Sequence, residues 1–405
     1  MSTIKKVVKF GSGIVLAQII TAFSIPFLSR IYTPEDFSLF GVYFSIASVL
    51  VVFVTLKLET TLPKEDDIAS KLPTVISVAW ITAIPILCIA FLILSFLNSQ
   101  FDIVYILVAF LILFASITFN FFNTINILNV REDQIGVTNK ARILRSSSSV
   151  FLQISFMSIK GGLFLGEVFA RFIGLISLSR KSYYKIHIRQ SLFLIKSKNK
   201  YIQYVVTSSF LNSLGLNLYP ILILRFYDPI LIGKYFFIHK VLSAPVTVMA
   251  QSISIVLLGD FKNIIKQDKR KLINKMHKVC ALFFILSILL FVFIGIIFKY
   301  FEVFIFGDDW LDIHKFVFVL IPLLVGQIAF SPFSQLLILV KGEKKQLLWD
   351  IVRMLFITFS IVFPVYFKID NAFMCSLLFY SISNFVLYII HYFLLIKSIQ
   401  RYSYD

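Results

Sequence analysis

Apolar stretches long enough to cross a membrane recur along almost the whole chain, with only short connections between them. An α-helix needs about 20 mostly apolar residues to span the hydrocarbon core of a bilayer. Twelve stretches of about that length lie near residues 7–29, 37–56, 73–97, 103–129, 146–160, 163–179, 202–224, 235–258, 279–298, 316–340, 348–367 and 372–396. The fifth is short and opens with four serines, so eleven spans is the alternative count. The pattern predicts an all-α polytopic membrane protein with about 12 transmembrane helices.

The composition agrees with a membrane protein and argues against other classes. Of the 405 residues, 59% are hydrophobic and only 15% are charged, compared with about 25% charged in soluble domains. The net charge of +18 could indicate a nucleic-acid binder, but the basic residues lie between apolar stretches, so no nucleic-acid partner is predicted. The cysteines Cys88, Cys280 and Cys375 lie inside apolar stretches without a pairing pattern, which argues against disulfide or metal roles.

Lysine and arginine concentrate in every second connection. In membrane proteins, the short loops richer in these residues face the cytoplasm. With the N-terminus inside, the basic clusters at 5–9, 57–71, 131–145, 180–200, 262–278, 341–345 and 397–401 all lie inside. The outer side then carries only Arg30, Lys160, Arg225, Lys234, Lys240, Lys299, Lys315 and Lys368. Both termini are therefore predicted to be cytoplasmic, which requires an even number of spans.

The longest basic connection divides the chain into two similar halves. Residues 1–179 and 201–405 would each form a lobe of six spans, and 180–200 would link them. The linker would either lie on the anionic inner leaflet or serve only as a topology signal. The first span of each half ends in a similar motif, Arg-Ile-Tyr-Thr-Pro at 30–34 and Arg-Phe-Tyr-Asp-Pro at 225–229. This predicts a duplicated bundle, as in many alternating-access transporters.

Charged residues inside the predicted spans are candidates for function. An ionised group in the bilayer costs roughly 2.5–3.5 kcal/mol on insertion scales, so such groups are usually paired or functional. Glu167 and Arg171 in the sixth stretch are four residues apart and therefore share one face of a helix. They would either line a hydrophilic cavity or form a buried ion pair that holds two helices together.

The remaining charged candidates lie nearer the ends of spans. Asp350 and Arg353, in the first turns of the eleventh stretch, are most simply interpreted as groups that reach back to the inner interface. Glu59 and Arg30 lie at the ends of the second and first stretches, where they could be interfacial anchors or functional groups. Lys240 in the eighth stretch would suit an anionic ligand, or could equally extend to the outer interface.

Sequence motifs for enzymatic or ATP-driven chemistry are absent. The five histidines form no HExxH motif and have no partnered nucleophile, and the chain has no P-loop and no GxGxxG. The connections on the predicted outer side are too short to build an active site. The sequence therefore predicts no catalytic residue, no metal ligand and no bound cofactor.

Several segments together resemble the polysaccharide (O-antigen) flippases of the multidrug/oligosaccharidyl-lipid/polysaccharide exporter superfamily. They are LSRIYTPEDF (28–37), KLETTLP (57–63), LFLGEVFARFIG (163–174), YPILILRFYDPILIGKYFFIHKVLSAPVTVMAQSI (219–253) and SPFSQLLILVKGEKKQLLWDIVR (331–353). The resemblance covers nearly the whole chain and depends on the order and spacing of these segments. It implies two six-helix lobes that open alternately to either side of the bacterial inner membrane.

The resemblance also implies a function. The substrate would be an undecaprenyl-diphosphate-linked oligosaccharide, moved to the outer leaflet for surface polysaccharide synthesis with energy from a proton or sodium gradient. Partners would be membrane lipids and other polysaccharide assembly proteins. Candidate substrate-binding residues are Arg30, Arg171, Lys240 and Arg353, and candidate ion-coupling residues are Glu59, Glu167 and Asp350. Lys240 stands where the family more often has arginine, which would remove bidentate phosphate binding. Alternatives are an exporter of another small molecule, or a membrane polymerase or ligase of lipid-linked sugars.

Overall fold

The computed structural model is all-helical over the residues it describes, which are 3–64, 68–98, 103–178, 185–243, 246, 269–333, 336–337 and 343–401. The helices are α1 (Thr3–Leu28), α2 (Pro34–Val54), α3 (Ile68–Asn98), α4 (Ile103–Arg131), α5 (Ile135–Ser155), α6 (Gly162–Leu178), α7 (Ile188–Ser197), α8 (Asn199–Phe226), α9 (229–243), α10 (Lys269–Phe306), α11 (Ile313–Ala329), α12 (Glu343–Tyr366) and α13 (Ala372–Arg401). Within these ranges, nine helices are long and apolar enough to cross a membrane, judged by length and composition. The predicted all-α polytopic fold is confirmed.

The fifth helix differs from its prediction. The apolar stretch was placed at 146–160, whereas α5 runs from Ile135 to Ser155 and the chain turns before α6. The first half of α5 is polar, but buried positions recur along the helix at intervals of three to five residues, at Thr138, Ala141, Ser146, Ser149 and Gln153. A helix whose buried face is polar has low mean hydropathy, so a search for apolar runs places its start too late.

Two other predicted spans also have different limits. α10 extends well beyond 279–298 at both ends, because its basic first turns continue the helix. The predicted span 316–340 is interrupted, since α11 ends at Ala329 and a 3-10 turn follows at Ser331–Phe333. Residues 334–335 and 338–340 of that span, and much of the predicted span 235–258, lie outside the described residues.

The chain forms two compact units, Met1–Arg225 and Phe226–Asp405. α8 belongs to the first unit, where Ser213 Oγ donates to the Ser48 carbonyl at 3.1 Å and Phe210 packs against Phe53. The division at 180–200 into two lobes of six spans was predicted from the sequence repeat. Compact units are a different property of the chain, so this division stays a prediction.

The two copies of the repeated motif make equivalent contacts in their own units. The Tyr32 hydroxyl, between α1 and α2, donates to the Gln153 carbonyl of α5 at 2.6 Å. The Tyr227 hydroxyl, between α8 and α9, donates to the Ile361 carbonyl of α12 at 3.1 Å. In each case the tyrosine follows the first helix of its half and reaches the fifth helix of that half. The contacts are equivalent, and the internal repeat stays a prediction.

Removal of either tyrosine hydroxyl should test these paired contacts. Tyr32→Phe leaves a buried carbonyl without its donor, and we expect it to lower the free energy of unfolding by about 1–3 kcal/mol. Burial and the nearby Asp36 raise the pKa of Tyr32 to about 12, so the hydroxyl keeps its proton at physiological pH. Tyr227→Phe should cost less, because Tyr227 is only partly buried. Thermal midpoints of the purified protein would show both losses, with Tyr366→Phe, at a 77% exposed position, as control. Equal midpoints for all three variants would contradict this prediction.

The helix α7, inside the predicted linker, is short and packs against α3. Ser191 Oγ donates to the Thr74 carbonyl at 2.7 Å, and the His187 amide donates to Ser77 Oγ at 2.9 Å. Leu192 and Phe193 point away from the protein and are 53% and 74% exposed. An amphipathic helix of this kind is suited to the membrane interface. The predicted contact with anionic lipid remains a prediction.

Candidate functional site

The ion pair between Glu167 and Arg171 forms on α6, as their spacing predicted. Nε of Arg171 lies 2.9 Å from Oε1 of Glu167, and Ser149 Oγ on α5 donates to the other carboxylate oxygen at 2.8 Å. α5 and α6 approach closely here, because a Cβ added to Gly166 would lie 2.6 Å from Cγ of Gln153. The charged side chains are only 11% and 13% exposed. The pair is therefore held in the interior of the first unit and joins α5 to α6.

Aromatic rings from two further helices hold the guanidinium of Arg171. Its Cζ lies 3.7 Å from the ring centroid of Phe119 on α4 and 5.7 Å from that of Phe44 on α2. Contacts of a cation with the face of a ring contribute about 0.5–2 kcal/mol, more when water is excluded. Arg171 is thus held by groups of α2, α4 and α6, and its charge lies inside the helix bundle and not against lipid.

Two more arginines add positive charge to this region. Arg145 on α5 is close enough for its charge to act on both Arg142 and Arg171, and its Cζ lies 5.6 Å from the ring centroid of Phe122. In the described part of the chain, Nε of Arg145 is buried without a hydrogen-bond partner. The guanidinium groups of Arg145 and Arg171 both lie near the carboxylate of Glu167. Such an interior favours an anionic ligand.

Glu59 lies in a buried hydrogen-bond network at the end of α2. The Thr55 hydroxyl donates to its carboxylate, and Nδ2 of Asn120 on α4 donates to that hydroxyl at 3.1 Å. Lys57 Nζ lies 3.6 Å from the other carboxylate oxygen. Glu59 is only 9% exposed, so the structure excludes an exposed interfacial anchor. Its partners connect α2 to α4.

Arg353 lies in the interior of the second unit, where it is 2% exposed. Its Nε donates to Oδ1 of Asn384 at 2.9 Å, and its Nη2 donates to the hydroxyl of Tyr388 at 3.2 Å. Its Cζ also lies 5.3 Å from the ring centroid of Trp349. The interpretation that Arg353 reaches back to the inner interface is wrong, because α13 supplies the acceptors and the ring face that hold the guanidinium inside the unit.

Asp350 is also buried, at 1% exposure, so the same interpretation is wrong for it. Gln346 Nε2 donates to its Oδ1 at 3.3 Å, and Oε1 of Gln346 accepts from Nε2 of His391 on α13 at 2.8 Å. The charge of Arg353 acts on Asp350, although no ion pair within 4.0 Å joins them in the described structure. Gln346, Asp350 and Arg353 share one face of α12, because their spacing is four and then three residues.

The two remaining candidates are less buried. Lys240 is partly buried in α9, where its carbonyl accepts from Ser243 Oγ at 2.9 Å. Arg30 is exposed in the turn after α1. Among the seven predicted residues, the structure brings Glu167 to Arg171 and Asp350 near Arg353, in different units. The roles of all seven in substrate binding and ion coupling stay predictions.

The groups that hold the buried Arg171 and Arg353 were not predicted from the sequence. Phe119, Asn384 and Tyr388 are ordinary residues of apolar helices and are recognisable only from the packing. Gln346 could have been found, because it precedes Asp350 by one helical turn and so extends the polar face of α12.

The comparisons with known proteins concern both sequence and fold. A sequence profile of a family described as "Polysaccharide biosynthesis protein" matches residues 27–315. A search of curated proteins finds no significant sequence match. In fold, the chain is similar to the lipid II flippase MurJ in an inward closed conformation, at 14% identity, a TM-score of 0.69, and coverage of 98% of this chain and 88% of that one.

Two further structures have a similar fold. The inward-facing form of a multidrug resistance MATE family transporter of the MOP superfamily has 15% identity, a TM-score of 0.66, and coverage of 96% of both chains. A MOP superfamily transporter from Pyrococcus furiosus has 15% identity and a TM-score of 0.58, with coverage of 98% of this chain and 96% of that one. At these identities, the similarity establishes the fold.

Proposed function

The chain belongs to the polysaccharide biosynthesis protein family, and on this premise we propose that it is a flippase for lipid-linked oligosaccharide repeat units. The substrate would be an undecaprenyl-diphosphate-linked repeat unit, moved across the bacterial inner membrane to the outer leaflet for surface polysaccharide such as O-antigen. The fold shared with a lipid II flippase and with a multidrug resistance transporter supports this proposal.

The observation that carries the proposal is the excess of positive charge inside the first unit. Arg145 on α5 and Arg171 on α6 lie near the carboxylate of Glu167 in the interior of this unit. A buried cation is costly without a counter-charge, and a diphosphate that enters this region would supply one. We assign Arg171 to binding of the phosphate-linked group. Arg30, Lys240 and Arg353 stay candidate substrate contacts.

Energy would come from a proton or sodium gradient, since the sequence has no nucleotide-binding motif. The buried acids Glu59, Glu167 and Asp350 are the candidate ion-coupling groups. Each carboxylate is bonded to protein donors, so protonation or sodium binding would change these hydrogen bonds. Transport would follow alternating access, in which a substrate and a coupling ion bias two conformations.

Deletion of the gene in its own bacterium tests the proposal. We expect loss of surface polysaccharide and accumulation of lipid-linked repeat units on the cytoplasmic leaflet, both reversed by a plasmid copy. The leaflet can be measured by the accessibility of the sugar to an impermeant label in intact and inverted vesicles. Accumulation on the outer leaflet would favour a polymerase or ligase instead. Normal polysaccharide, with new sensitivity to toxic compounds, would favour an exporter.

A further inference from the structure

A pocket lies in the first unit, near one end of its helices. The lysine and arginine pattern predicts that this end faces outward. The pocket has a volume of about 500 Å³, within the range of roughly 300–1,000 Å³ that is common for ligand sites. Its lining comes from α2, α3, α4, α6, α8 and the turn before α6, and includes Tyr43, Val104, Tyr105, Val108, Leu111 and Lys160. None of the seven candidate residues lines it.

Three of the residues that line this pocket carry hydrogen-bond donors. They are the hydroxyls of Tyr43 and Tyr105 and the ammonium group of Lys160. Tyr43 and Tyr105 lie near each other, and neither hydroxyl nor the ammonium group has a hydrogen-bond partner in the described part of the chain. Tyr43 and Tyr105 are half-buried and Lys160 is exposed. Half-buried donors are normally satisfied, so acceptors for the hydroxyls would come from water or from a ligand rich in oxygen.

The backbone around Lys160 is fixed. Gly161 has φ of +83°, a conformation that glycine adopts without steric cost. At Gly162, a Cβ would lie 2.2 Å from the Phe156 carbonyl oxygen and 2.7 Å from the Tyr32 hydroxyl. The Gly162 amide donates to the Ile159 carbonyl at 2.8 Å. The turn that carries Lys160 is therefore held before any ligand arrives.

Aromatic packing fixes one tyrosine in the same way. The ring of Tyr43 packs edge to face against Phe164 of α6, with centroids 5.7 Å apart and the planes at 66°. This contact fixes the ring position of a residue that lines the pocket. A rigid ring with a donor at its edge loses little conformational entropy when it binds a ligand.

We propose that this pocket binds the phosphate-linked, hydroxyl-rich headgroup of a membrane lipid at the side where the substrate is released. Lys160 would supply the charge for the phosphate, since a lysine ammonium acts as a point charge toward phosphate groups. The tyrosine hydroxyls would donate to phosphate or sugar oxygens, and their rings would pack against a sugar face. Val104, Val108 and Leu111 would contact the first part of the lipid chain.

The inference rests on the proposed function, because it assigns the headgroup to the lipid-linked saccharide. A bulk phospholipid such as phosphatidylglycerol offers the same phosphate and hydroxyl chemistry. The test must therefore compare the two lipids directly, each added separately to the purified full chain.

The experiment measures lipid binding to the purified full chain by native mass spectrometry. One probe is a polyprenyl-diphosphate-linked N-acetylglucosamine, and the other is phosphatidylglycerol. The variants are Lys160→Gln and the double variant Tyr43→Phe with Tyr105→Phe. Matched controls are Lys368→Gln and Tyr204→Phe, which remove the same groups at exposed positions outside the pocket. Size-exclusion profiles confirm that every variant is folded.

We expect the saccharide-linked probe to bind more tightly than phosphatidylglycerol. Loss of a charge-assisted hydrogen bond in either pocket variant should weaken its binding roughly tenfold or more, with both controls unchanged. Unchanged binding in both pocket variants would overturn the proposal. If both probes bind equally well and Lys160→Gln weakens the binding of both, the assignment to the saccharide would be overturned.

Failure of the pocket can be separated from failure of the proposed function. If the gene deletion leaves the polysaccharide intact while Lys160→Gln still weakens saccharide binding, the flippase function is wrong and the pocket stands. If the deletion removes the polysaccharide but the pocket variants bind both probes normally, the flippase function stands and the pocket assignment is wrong.

Discussion

Arg353→Gln is expected to lower the free energy of unfolding of the second unit by about 1–3 kcal/mol for each of the two buried groups, Asn384 and Tyr388, that lose their charged partner. The guanidinium is the donor for Asn384 and Tyr388, and it supplies the positive charge that acts on Asp350. The substitution leaves a buried carboxylate without that charge. Since domains are stable by only about 5–15 kcal/mol, much of the protein should fail to fold.

The yield of folded protein and its thermal midpoint are the measurements. They are best made with a fluorescent C-terminal fusion followed through size-exclusion chromatography. Arg401→Gln, an exposed arginine at the end of α13, is the matched control and should behave like the unchanged chain. A thermal midpoint for Arg353→Gln equal to that of the control would show that the buried guanidinium contributes nothing to stability.

The double variant Arg353→Gln with Asp350→Asn tests the coupling of the two charges. It removes both charges, so no uncompensated ion remains, and we expect it to be more stable than Arg353→Gln alone. A double-mutant cycle over the four proteins gives the interaction energy directly. If the stability losses of the two single variants simply add in the double variant, the two charges do not act on each other. They would also remove the structural argument for treating this pair as a unit.

The same cycle separates stability from ion coupling. Asp350→Asn keeps the size of the side chain and its bonding to Gln346, so the protein should fold. If Asp350 carries the coupling ion, transport by this variant should no longer respond to the gradient when folded amounts are matched. A normal response would assign Asp350 to packing and leave Glu59 and Glu167 as the candidates for ion coupling.

The sequence predicted the fold more completely than the site, because hydropathy identifies apolar helices but not the contacts that a side chain makes. Eight of the apolar stretches agree closely with described helices, because lipid-facing and buried surfaces are both apolar. α5 was misplaced because its polar residues at 138, 146, 149 and 153 are buried against protein. Low hydropathy alone does not show whether polar residues pack inside the bundle or form a loop in water.

The charged pairs show the same limit at the level of single residues. The spacing of Glu167 and Arg171 was enough to predict their contact, because it is fixed within one helix. The burial of Arg353 was not predictable, because it depends on Asn384 and Tyr388 in another helix. A position near the end of a span made exposure at the interface the simpler interpretation. Only the packing of α13 on α12 shows where the charge is satisfied.

Arg171→Gln is expected to reduce export of the lipid-linked substrate by about tenfold or more, because loss of a charged hydrogen bond in a dry site costs roughly 1.5–3 kcal/mol. The substitution removes the bond to Glu167 and the contact with Phe119. Export is measured as surface polysaccharide per folded transporter in the deletion strain. Lys299→Gln, which removes an exposed cation near the end of α10, should leave export unchanged.

The neutral pair Arg171→Gln with Glu167→Gln decides between packing and substrate binding. It leaves no unpaired charge, so the stability lost in Arg171→Gln should largely return, and the Ser149 hydroxyl can still bond the amide that replaces the carboxylate. If Arg171 serves only to hold α5, α6 and α4 together, export should return with stability. If its charge contacts the diphosphate, export should stay low in a folded protein. Full export by the neutral pair would therefore assign the predicted ion pair to structure alone.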